Sequence, residues 1–500
     1  MNIKMIRYII GRLLLVESTL MLLPLAVSLI YGEFAQLHAF LIPMAILCGL
    51  GTLSVAFKPK EQALKAKDGF VTVGLSWIAL SLFGCLPFII SGLIPNFIDA
   101  FFETVSGFTT TGSSVLFAED FAKLWSPAVA TEGMRGVFFW RSFTNWIGGM
   151  GVLVFVLAVM PQQDMKSSRL VHVMRAEMPG PKVDKIVSTV KKTSAIMYGI
   201  YAVMTAILVI LLLFGGMDIY EALCSAFGTA GTGGFSIWSD SMVSYGGGAN
   251  VDFCTWVIAI FMFLFGVNFN VYFLVLTGKL ATAIFSEELI WYTGIVLGST
   301  AIVTYNVYSI YGNFAESLKH AFFQVSTVIT TTGFATADFN IWPDSSKALL
   351  LLLMFVGACA GSTGGGMKVS RLVIAFKSAV AEIKHMGRPR QVSRIRFEGK
   401  PVEKDTINGV LAFIVSYIFI FFSSFLIISV IDGKTIETTF SSVAPCLNNI
   451  GLGLGDVGPT ANFAFYSPIS KLILAFDMLL GRLEIFPIIM LFSPSVWTEK

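Results

Sequence analysis

Residues 325–339, "VSTVITTTGFATADF", place three threonines and a glycine directly after an apolar run. The same arrangement occurs earlier, since "FFETVSGFTTTG" (residues 101–112) aligns without a gap to "FFQVSTVITTTG" (residues 322–333). Two looser copies are "LCSAFGTAGTGGFS" (residues 223–236) and "TFSSVAPCLNNIGLG" (residues 439–453). The four copies predict an internal repeat, in which a short helix is followed by backbone that requires glycine.

The composition places these repeats in a membrane. Of the 500 residues, 55% are hydrophobic and only 13% are charged. These values lie outside the range of soluble domains and predict an all-α integral membrane protein. Apolar runs of about 20 residues can cross a hydrocarbon core of about 30 Å. The predicted transmembrane helices, ten in all, cover residues 7–31, 36–57, 70–92, 137–160, 193–215, 251–277, 286–311, 347–376, 405–431 and 467–493.

The distribution of lysine and arginine predicts the orientation. Basic residues concentrate in the connections 58–67, 161–192 and 368–404, and such loops stay on the cytoplasmic side. Both termini are then cytoplasmic, and the segment at 325–339 lies on the outer side. The run at 368–404 is either a solvated determinant of topology or a docking site for a cytosolic partner or anionic lipid.

Between successive glycines of the repeat lie two predicted spans and one short segment. The chain is therefore predicted as four helix–pore-loop–helix repeats, preceded by two extra helices. Because each repeat crosses the membrane twice, all four share one orientation and can surround a single pathway along the membrane normal. The predicted boundaries are 1–67 for the extension and 68–192, 193–285, 286–404 and 405–500 for the repeats, with pore loops at 104–113, 225–235, 325–335 and 443–453.

The short segments are too short to cross a bilayer and suit half-helices that enter from outside. Non-helical backbone at that depth is tolerated where it is buried or lines a water-filled path, and its carbonyls can replace the hydration shell of a cation. The alternative is a simple helix C-cap, which explains one copy better than four. The predicted filter residues are Thr110, Thr111, Gly112, Gly231, Thr232, Gly233, Thr331, Thr332, Gly333, Asn449, Ile450 and Gly451.

The span after each filter segment is interrupted by small or polar residues. The interruptions read "NWIGGMG" (145–151), "FGVNFN" (265–270), "GACAGSTGGGMK" (357–368) and "LLGRLE" (479–484). Close helix packing is the alternative explanation for such residues. The third interruption contains six consecutive residues without a long side chain and can hardly remain helical. We predict an unwound, mobile loop there, formed by Gly361, Ser362, Thr363, Gly364, Gly365 and Gly366.

Arg482 lies midway along the last predicted span, where a charge is costly and usually faces an aqueous cavity. On the axis of a cation pathway it would act as a barrier. The alternative is a buried pair with Glu484 or Asp477. Acidic residues also follow each filter glycine and could concentrate cations at the outer mouth, although ordinary loop charge is an equal alternative. These residues are Glu119, Asp120, Asp240, Asp338 and Asp456.

The sequence contains no recognisable catalytic set. Its four histidines are scattered, and neither an HExxH nor a GxSxG motif is present. We therefore expect no enzyme activity and no cofactor on this chain. The six cysteines lie singly and predict neither a zinc site nor a disulfide framework. No nucleic-acid partner is expected.

The four-fold plan carries a resemblance to a known family. Gly112, Gly233, Gly333 and Gly451, together with the 361–366 loop and the segment "MLLGRLEIFP", resemble the Trk/Ktr/HKT superfamily of potassium transporters over essentially the whole chain. The two extra helices resemble its bacterial TrkH-like pore-forming subunits. The second and fourth filter segments, "AGTGG" and "NNIGLG", depart from the strongest pattern.

The resemblance implies potassium uptake across the bacterial cytoplasmic (inner) membrane by a homodimer with one pathway in each subunit. It also implies cytosolic TrkA-like regulatory subunits that bind NAD(H) or ATP, and an intramembrane gate formed by Arg482 and the 361–366 loop. Some family members carry serine at the first filter glycine and pass sodium, so Gly112 favours potassium. A sodium-permeable relative remains the alternative, and passive flow and symport with protons or sodium are both left open.

Overall fold

The computed structural model describes residues 1–59, 65–125, 133–151, 190–242, 250–388 and 394–497. These residues are mostly helical. The strands found among them form a small antiparallel hairpin, Arg396–Phe397 paired with Lys400–Pro401. The long apolar helices and the helical fold agree with the prediction of an all-α membrane protein.

Five of the described helices are long and apolar enough to cross a membrane. They are Ile3–Ile30, Phe34–Ala56, Lys67–Ile90, Thr193–Phe214 and Lys404–Asp432. A sixth candidate is the pair Val251–Phe265 and Phe269–Leu276, which bends by 91° at its break. The described residues thus show up to six such spans where the sequence predicted ten.

Broken helices account for much of this difference. The spans predicted as continuous at 347–376 and 467–493 are each divided, into Asp344–Val356 and Val369–Gly387, and into Pro468–Arg482 and Phe486–Phe492. In the first of these the chain turns at Gly357, Gly361 and Gly366, which have φ values of 72°, 72° and 73°, a conformation that glycine adopts readily. The predicted interruptions at 265–270, 357–368 and 479–484 are confirmed.

Two further predicted spans differ for other reasons. Glu287–Tyr311 is a continuous helix of 25 residues, but serine, threonine, tyrosine and asparagine dilute its apolar character. The span at 137–160 begins within the helix Arg135–Gly149, and its remaining part, from residue 152 onward, lies outside the described residues.

Four short helices lie at the centre of the fold. Each begins at a residue whose side chain accepts a backbone N–H of the first turn, namely Asn96, Asp218, Asn313 and Thr435, a favourable N-cap. The predicted pore loops therefore start inside longer helices. The four short helices cover Phe97–Phe108, Ile219–Gly231, Phe314–Ile329 and Ile436–Asn448.

Neighbouring helices pack against these short helices. Arg135–Gly149 contacts the first and second short helices, and Pro468–Arg482 contacts the first and fourth. Val251–Phe265 and Glu287–Tyr311 pack on the third. The remaining helices of the described chain are Ile3–Leu20, Leu22–Ile30, His38–Ala56, Ala66–Gly84, Leu86–Ile90, Ala118–Trp125, Val190–Phe214, Leu280–Ile284 and Pro494–Trp497.

Candidate functional site

The four short helices end in segments with the same backbone conformation. We name residues 109–112, 231–234, 330–333 and 448–451 the first to fourth glycine segments. Each contains a left-handed residue other than glycine, followed two residues later by a glycine with positive φ. The left-handed residues are Thr110, Thr232, Thr331 and Asn449, with φ of 56°, 53°, 60° and 57°. The glycines are Gly112, Gly234, Gly333 and Gly451, with φ of 86°, 66°, 84° and 88°.

This pattern corrects the sequence alignment of the second segment by one residue. Gly234, and not Gly233, occupies the position equivalent to Gly112. Gly233 instead matches Thr111, since the N–H of each donates to the carbonyl five residues earlier, at 2.9 Å and 2.8 Å. Gly231 is the last residue of its helix. The sequence held a signal for this register, because phenylalanine follows Gly234 as it follows Gly333.

The glycine segments contact one another in a closed ring. The position that a Cβ atom would take on Gly112 is blocked by the carbonyl oxygen of Gly233 in the second segment. The same relation holds from each segment to the next and returns from the fourth to the first. The blocking pairs are Gly234 with Thr332, Gly333 with Ile450, and Gly451 with Thr111. Only glycine therefore fits at these four positions, and one backbone carbonyl oxygen of each segment lies against a glycine of its neighbour.

Most hydroxyl groups of the segments hydrogen-bond to neighbouring protein groups. Thr109 and Thr111 are joined through their Oγ1 atoms at 2.8 Å, and Thr330 and Thr332 in the same way at 2.8 Å. Asn449 donates from Nδ2 to Thr111 Oγ1 at 3.0 Å, which ties the fourth segment to the first. These bonds fix the segments while leaving the ring lined by backbone carbonyls.

A buried ion pair supports the first two segments. Arg141 donates from Nε to Glu103 Oε1 at 2.6 Å and from Nη1 to the carbonyl of Ser236 at 2.8 Å. Its guanidinium lies 3.7 Å from the ring centre of Phe235. Glu103 also accepts the N–H of Val115 at 2.8 Å. This pair was not predicted from the sequence, although both charged residues stand among apolar residues, which is a recognisable signal.

The 361–366 loop lies directly against the third and fourth glycine segments. Gly365 donates its N–H to Thr331 Oγ1 at 2.6 Å. A Cβ atom on Gly364 would lie 2.9 Å from the carbonyl oxygen of Thr330, and one on Gly365 would meet the carbonyl of Asn448. The predicted unwinding is confirmed, since no helix covers residues 357–368.

Backbone and side-chain hydrogen bonds hold this loop in place. Cys359 donates its N–H to the carbonyl of Gly266 at 3.1 Å, and Ala360 donates to Glu288 Oε1 at 2.7 Å. Thr363 donates from Oγ1 to the carbonyl of Phe265 at 3.2 Å. Ser362 donates from Oγ to the carbonyl of Cys359 at 2.6 Å.

Arg482 also contacts the loop. It donates from Nη1 to the carbonyl of Thr363 at 2.8 Å, and from Nη2 to the carbonyls of Gly148 and Gly149 at 2.5 Å and 2.6 Å. The carboxylates considered as its partners bind other groups: Glu484 pairs with Arg371, and Asp477 accepts from Ser424 at 2.9 Å. Arg482 thus joins the end of Arg135–Gly149 and the end of its own helix, Pro468–Arg482, to the 361–366 loop.

A cavity of about 580 Å³ lies next to this junction. Its lining includes Arg482, Lys368 and Glu288, and it reaches the Arg396–Pro401 hairpin through Phe397 and Lys400. Lys368 is buried and donates from Nζ to the carbonyl of Gly364. Two cationic side chains therefore border the cavity where it approaches the glycine segments.

Three of the five predicted acidic residues accept local hydrogen bonds. Asp120 accepts from Lys123 at 2.9 Å, Asp338 accepts the N–H of Asn340 at 3.0 Å, and Asp456 accepts from Thr438 at 3.4 Å. Their role at an outer mouth stays a prediction. Within the basic run at 368–404, a possible docking site, Arg388, Arg394 and Arg396 are exposed, and Arg390 lies outside the described residues.

Comparison with known proteins shows which family the chain resembles. A family model described as TrkH, cation transport protein, matches residues 36–285 and 272–499. The chain is 35% identical to the Trk system potassium uptake protein TrkH of Salmonella typhimurium, with 100% of both chains covered. It is 32% identical to the Trk system potassium uptake protein TrkG of Escherichia coli K12, with 99% of both covered.

A solved structure shows the same fold. The crystal structure of the potassium transporter TrkH from Vibrio parahaemolyticus superposes with a TM-score of 0.87 at 29% identity and covers 100% of both chains. Together with the match to the family model, this likeness confirms the resemblance drawn from the sequence. The chain belongs to the TrkH family of cation transport proteins.

Proposed function

We propose that this protein takes up potassium through the ring of glycine segments. The proposal rests on one observation, the closed ring of contacts between the segments. In this ring a glycine of each segment lies against a backbone carbonyl of the next, and these glycines are Gly112, Gly234, Gly333 and Gly451. Four converging carbonyl dipoles can replace the hydration shell of a monovalent cation. The names of the relatives, which are potassium uptake proteins, support potassium as that cation.

The four glycine segments are the selectivity filter in this proposal. The ring consists of four backbone carbonyls and the glycine that follows each of them. The carbonyls belong to Thr111, Gly233, Thr332 and Ile450. The left-handed residues Thr110, Thr232, Thr331 and Asn449 turn the chain at the end of each short helix. Side chains matter less, which allows the fourth segment to use asparagine and isoleucine where the first uses threonine.

The intramembrane gate is formed by Arg482 and the 361–366 loop. A guanidinium next to the pathway repels a passing cation, and the loop narrows the space beneath the third and fourth segments. Arg482 is anchored by carbonyls of Thr363, Gly148 and Gly149, so opening requires the exchange of these bonds for others or for water.

Regulation reaches the gate from the cytoplasmic side. We place the protein in the bacterial inner membrane with both termini in the cytoplasm, as a homodimer that binds cytosolic regulatory subunits carrying NAD(H) or ATP. The Arg396–Pro401 hairpin supports this route, because it lines the same cavity as Arg482. Lys377 holds the hairpin in place, since it pairs with Glu287 and donates to the carbonyl of Arg396 at 2.8 Å. A regulator that moves the hairpin would act on the walls of the cavity.

Flux measurements test the proposal. Purified protein in lipid vesicles should carry K⁺ and Rb⁺ well above Na⁺ and Li⁺ under an imposed voltage. Flux that follows voltage alone indicates passive flow, whereas dependence on a pH or Na⁺ gradient indicates symport. Equal rates for sodium and potassium would identify a sodium-permeable transporter and overturn the assignment.

A further inference from the structure

The break that follows Arg482 has an unusual backbone. Glu484 and Ile485 have φ values of 54° and 71°. Two consecutive non-glycine residues with positive φ are rare, and a β-branched residue in this conformation is a genuine outlier. Such strain persists only where the surroundings hold it in place. A specific contact must therefore fix the chain at this break.

That contact is a buried ion pair. The carboxylate of Glu484 binds the guanidinium of Arg371, and the side chains are only 12% and 8% exposed. Arg371 also lies 4.3 Å from the ring centre of Phe413 and donates from Nη1 to the carbonyl of Met367 at 3.2 Å. The aromatic face and the carbonyl orient the guanidinium toward Glu484.

The ion pair joins the two chain segments that form the proposed gate, the one with the 361–366 loop and the one with Arg482. Arg371 lies in the first turn of Val369–Gly387, directly after the interruption that contains the 361–366 loop. Glu484 is two residues after Arg482. The hydrogen bond from Arg482 to Thr363 and the pair of Arg371 with Glu484 thus bridge the same two chain segments at two points.

We propose that Arg371 and Glu484 form a latch that positions Arg482 across the pathway. The ion pair offsets the backbone strain at Glu484 and Ile485 and keeps the end of Pro468–Arg482 against the loop. When the pair separates, the strained turn relaxes, and Arg482 leaves its carbonyl partners. Both latch residues act through Arg482 and need not touch the ion. This inference rests on the proposed function and assigns a positioning role to residues beside the gate.

Flux through the full-length protein in vesicles, without a regulatory partner, tests the latch. Glu484→Gln and Arg371→Gln should each raise K⁺ flux at least about fivefold, a cost to the closed state of about 1 kcal/mol. The double variant should match the single ones, because either change opens the same latch. Arg371→Lys keeps the charge and should stay near wild type. In an Arg482→Ala background, Glu484→Gln should not raise the K⁺ flux further.

The matched control is Lys471→Gln, which removes the ion pair with Asp99 from the other end of the same helix. This change should leave flux unaltered. A second readout is independent of transport: Ile485 is fully buried, and a thiol introduced by Ile485→Cys should be alkylated faster once Glu484→Gln cuts the latch. Peptide mass spectrometry reports that site separately from the native cysteines.

The outcomes separate the two proposals. Failure of wild-type protein to carry K⁺ under any gradient overturns the proposed function, while the alkylation rate still decides on the latch. A folded Glu484→Gln variant with wild-type flux and an unchanged alkylation rate overturns the latch. If the increases in K⁺ flux caused by Glu484→Gln and Arg482→Ala are fully additive, the ion pair does not act through Arg482.

Discussion

Arg482 and Thr363 are joined by a hydrogen bond of 2.8 Å between Nη1 and the backbone carbonyl oxygen. This bond connects the last broken helix to the 361–366 loop, and two further bonds connect the same guanidinium to Gly148 and Gly149. Three parts of the chain that are distant in sequence therefore meet at one cationic group. The charge of that group and the position of the loop can be tested separately.

Arg482→Ala should raise potassium flux. A positive charge several ångströms from the ion costs about 2–4 kcal/mol at an effective dielectric near 20, which slows passage by roughly 30-fold or more. Arg482→Lys keeps the charge and serves as the control. Flux per folded molecule in vesicles is the measurement, and an alanine variant that is folded but no faster than wild type would remove Arg482 from the pathway.

Shortening the 361–366 loop should also raise flux, but with a different signature. Gly365 donates to Thr331 Oγ1 in the third glycine segment, so loss of the loop should loosen the filter and lower the K⁺/Na⁺ ratio. Arg482→Ala should leave that ratio unchanged. Combined, the two changes should increase flux less than additively, since both act on one constriction. Identical ratios in all variants would show that the loop does not support the filter.

Substitution of the ring glycines should damage selectivity. A serine at Gly112 would place Cβ against the carbonyl of Gly233 at a φ of 86°, a conformation that costs about 1–2 kcal/mol for other residues. Gly112→Ser should therefore admit sodium and lower the melting temperature. A serine variant with the wild-type K⁺/Na⁺ ratio would contradict the role of this ring position.

The register of the second segment has its own test. Gly234→Ala should behave like Gly112→Ser, because its Cβ would collide with the carbonyl of Thr332. For Gly233→Ala the three atoms nearest to the new Cβ all belong to the side chain of Asn145, and this variant should retain selectivity to a greater degree. The measurement is the K⁺/Na⁺ flux ratio of each variant. A larger loss of selectivity in Gly233→Ala than in Gly234→Ala would favour the sequence alignment, in which Gly233 is equivalent to Gly112.

Glu103→Gln should destabilise the protein. Arg141 would remain buried with its carboxylate partner removed, a change that typically costs about 3–5 kcal/mol. Gln324 occupies the equivalent place in the third short helix, and among the described residues its side chain has no hydrogen-bond partner. Gln324→Met is therefore the control, and thermal unfolding in detergent is the measurement. Equal melting temperatures for both variants would show that the ion pair does not support the fold.

Neutralising Arg388, Arg394 and Arg396 should weaken docking of a cytosolic regulatory ring. The difference in regulator binding between variant and wild type should shrink at high salt, because screening weakens the charged contacts of the wild type as well. Ion selectivity should be unaffected. Lys434→Gln is the control, since Lys434 lies over the ring of Phe465 far along the chain. Pull-down of equal amounts of regulator by variant and wild type would argue against docking at this run.

The sequence predicted those features that repeat or that stand out chemically. The Thr-Thr-Thr-Gly copies located Gly112 and Gly333, and the glycine-rich interruption located the loop. The register at Gly234 was missed because "GTGG" offers two matches and the backbone φ angle cannot be read from letters. The partners Arg371 and Glu484 are 113 residues apart, so their contact depends on packing that only the folded chain reveals.

The most direct test of the filter is the position of the ion itself. Crystals grown in rubidium should show anomalous density on the axis of the ring, between the carbonyl oxygens of Thr111, Gly233, Thr332 and Ile450. An excess of lithium over rubidium should leave that peak in place, since the small radius of lithium does not match the carbonyl ring. Rubidium density at another place in a protein that conducts rubidium, with none between these four carbonyls, would contradict the account.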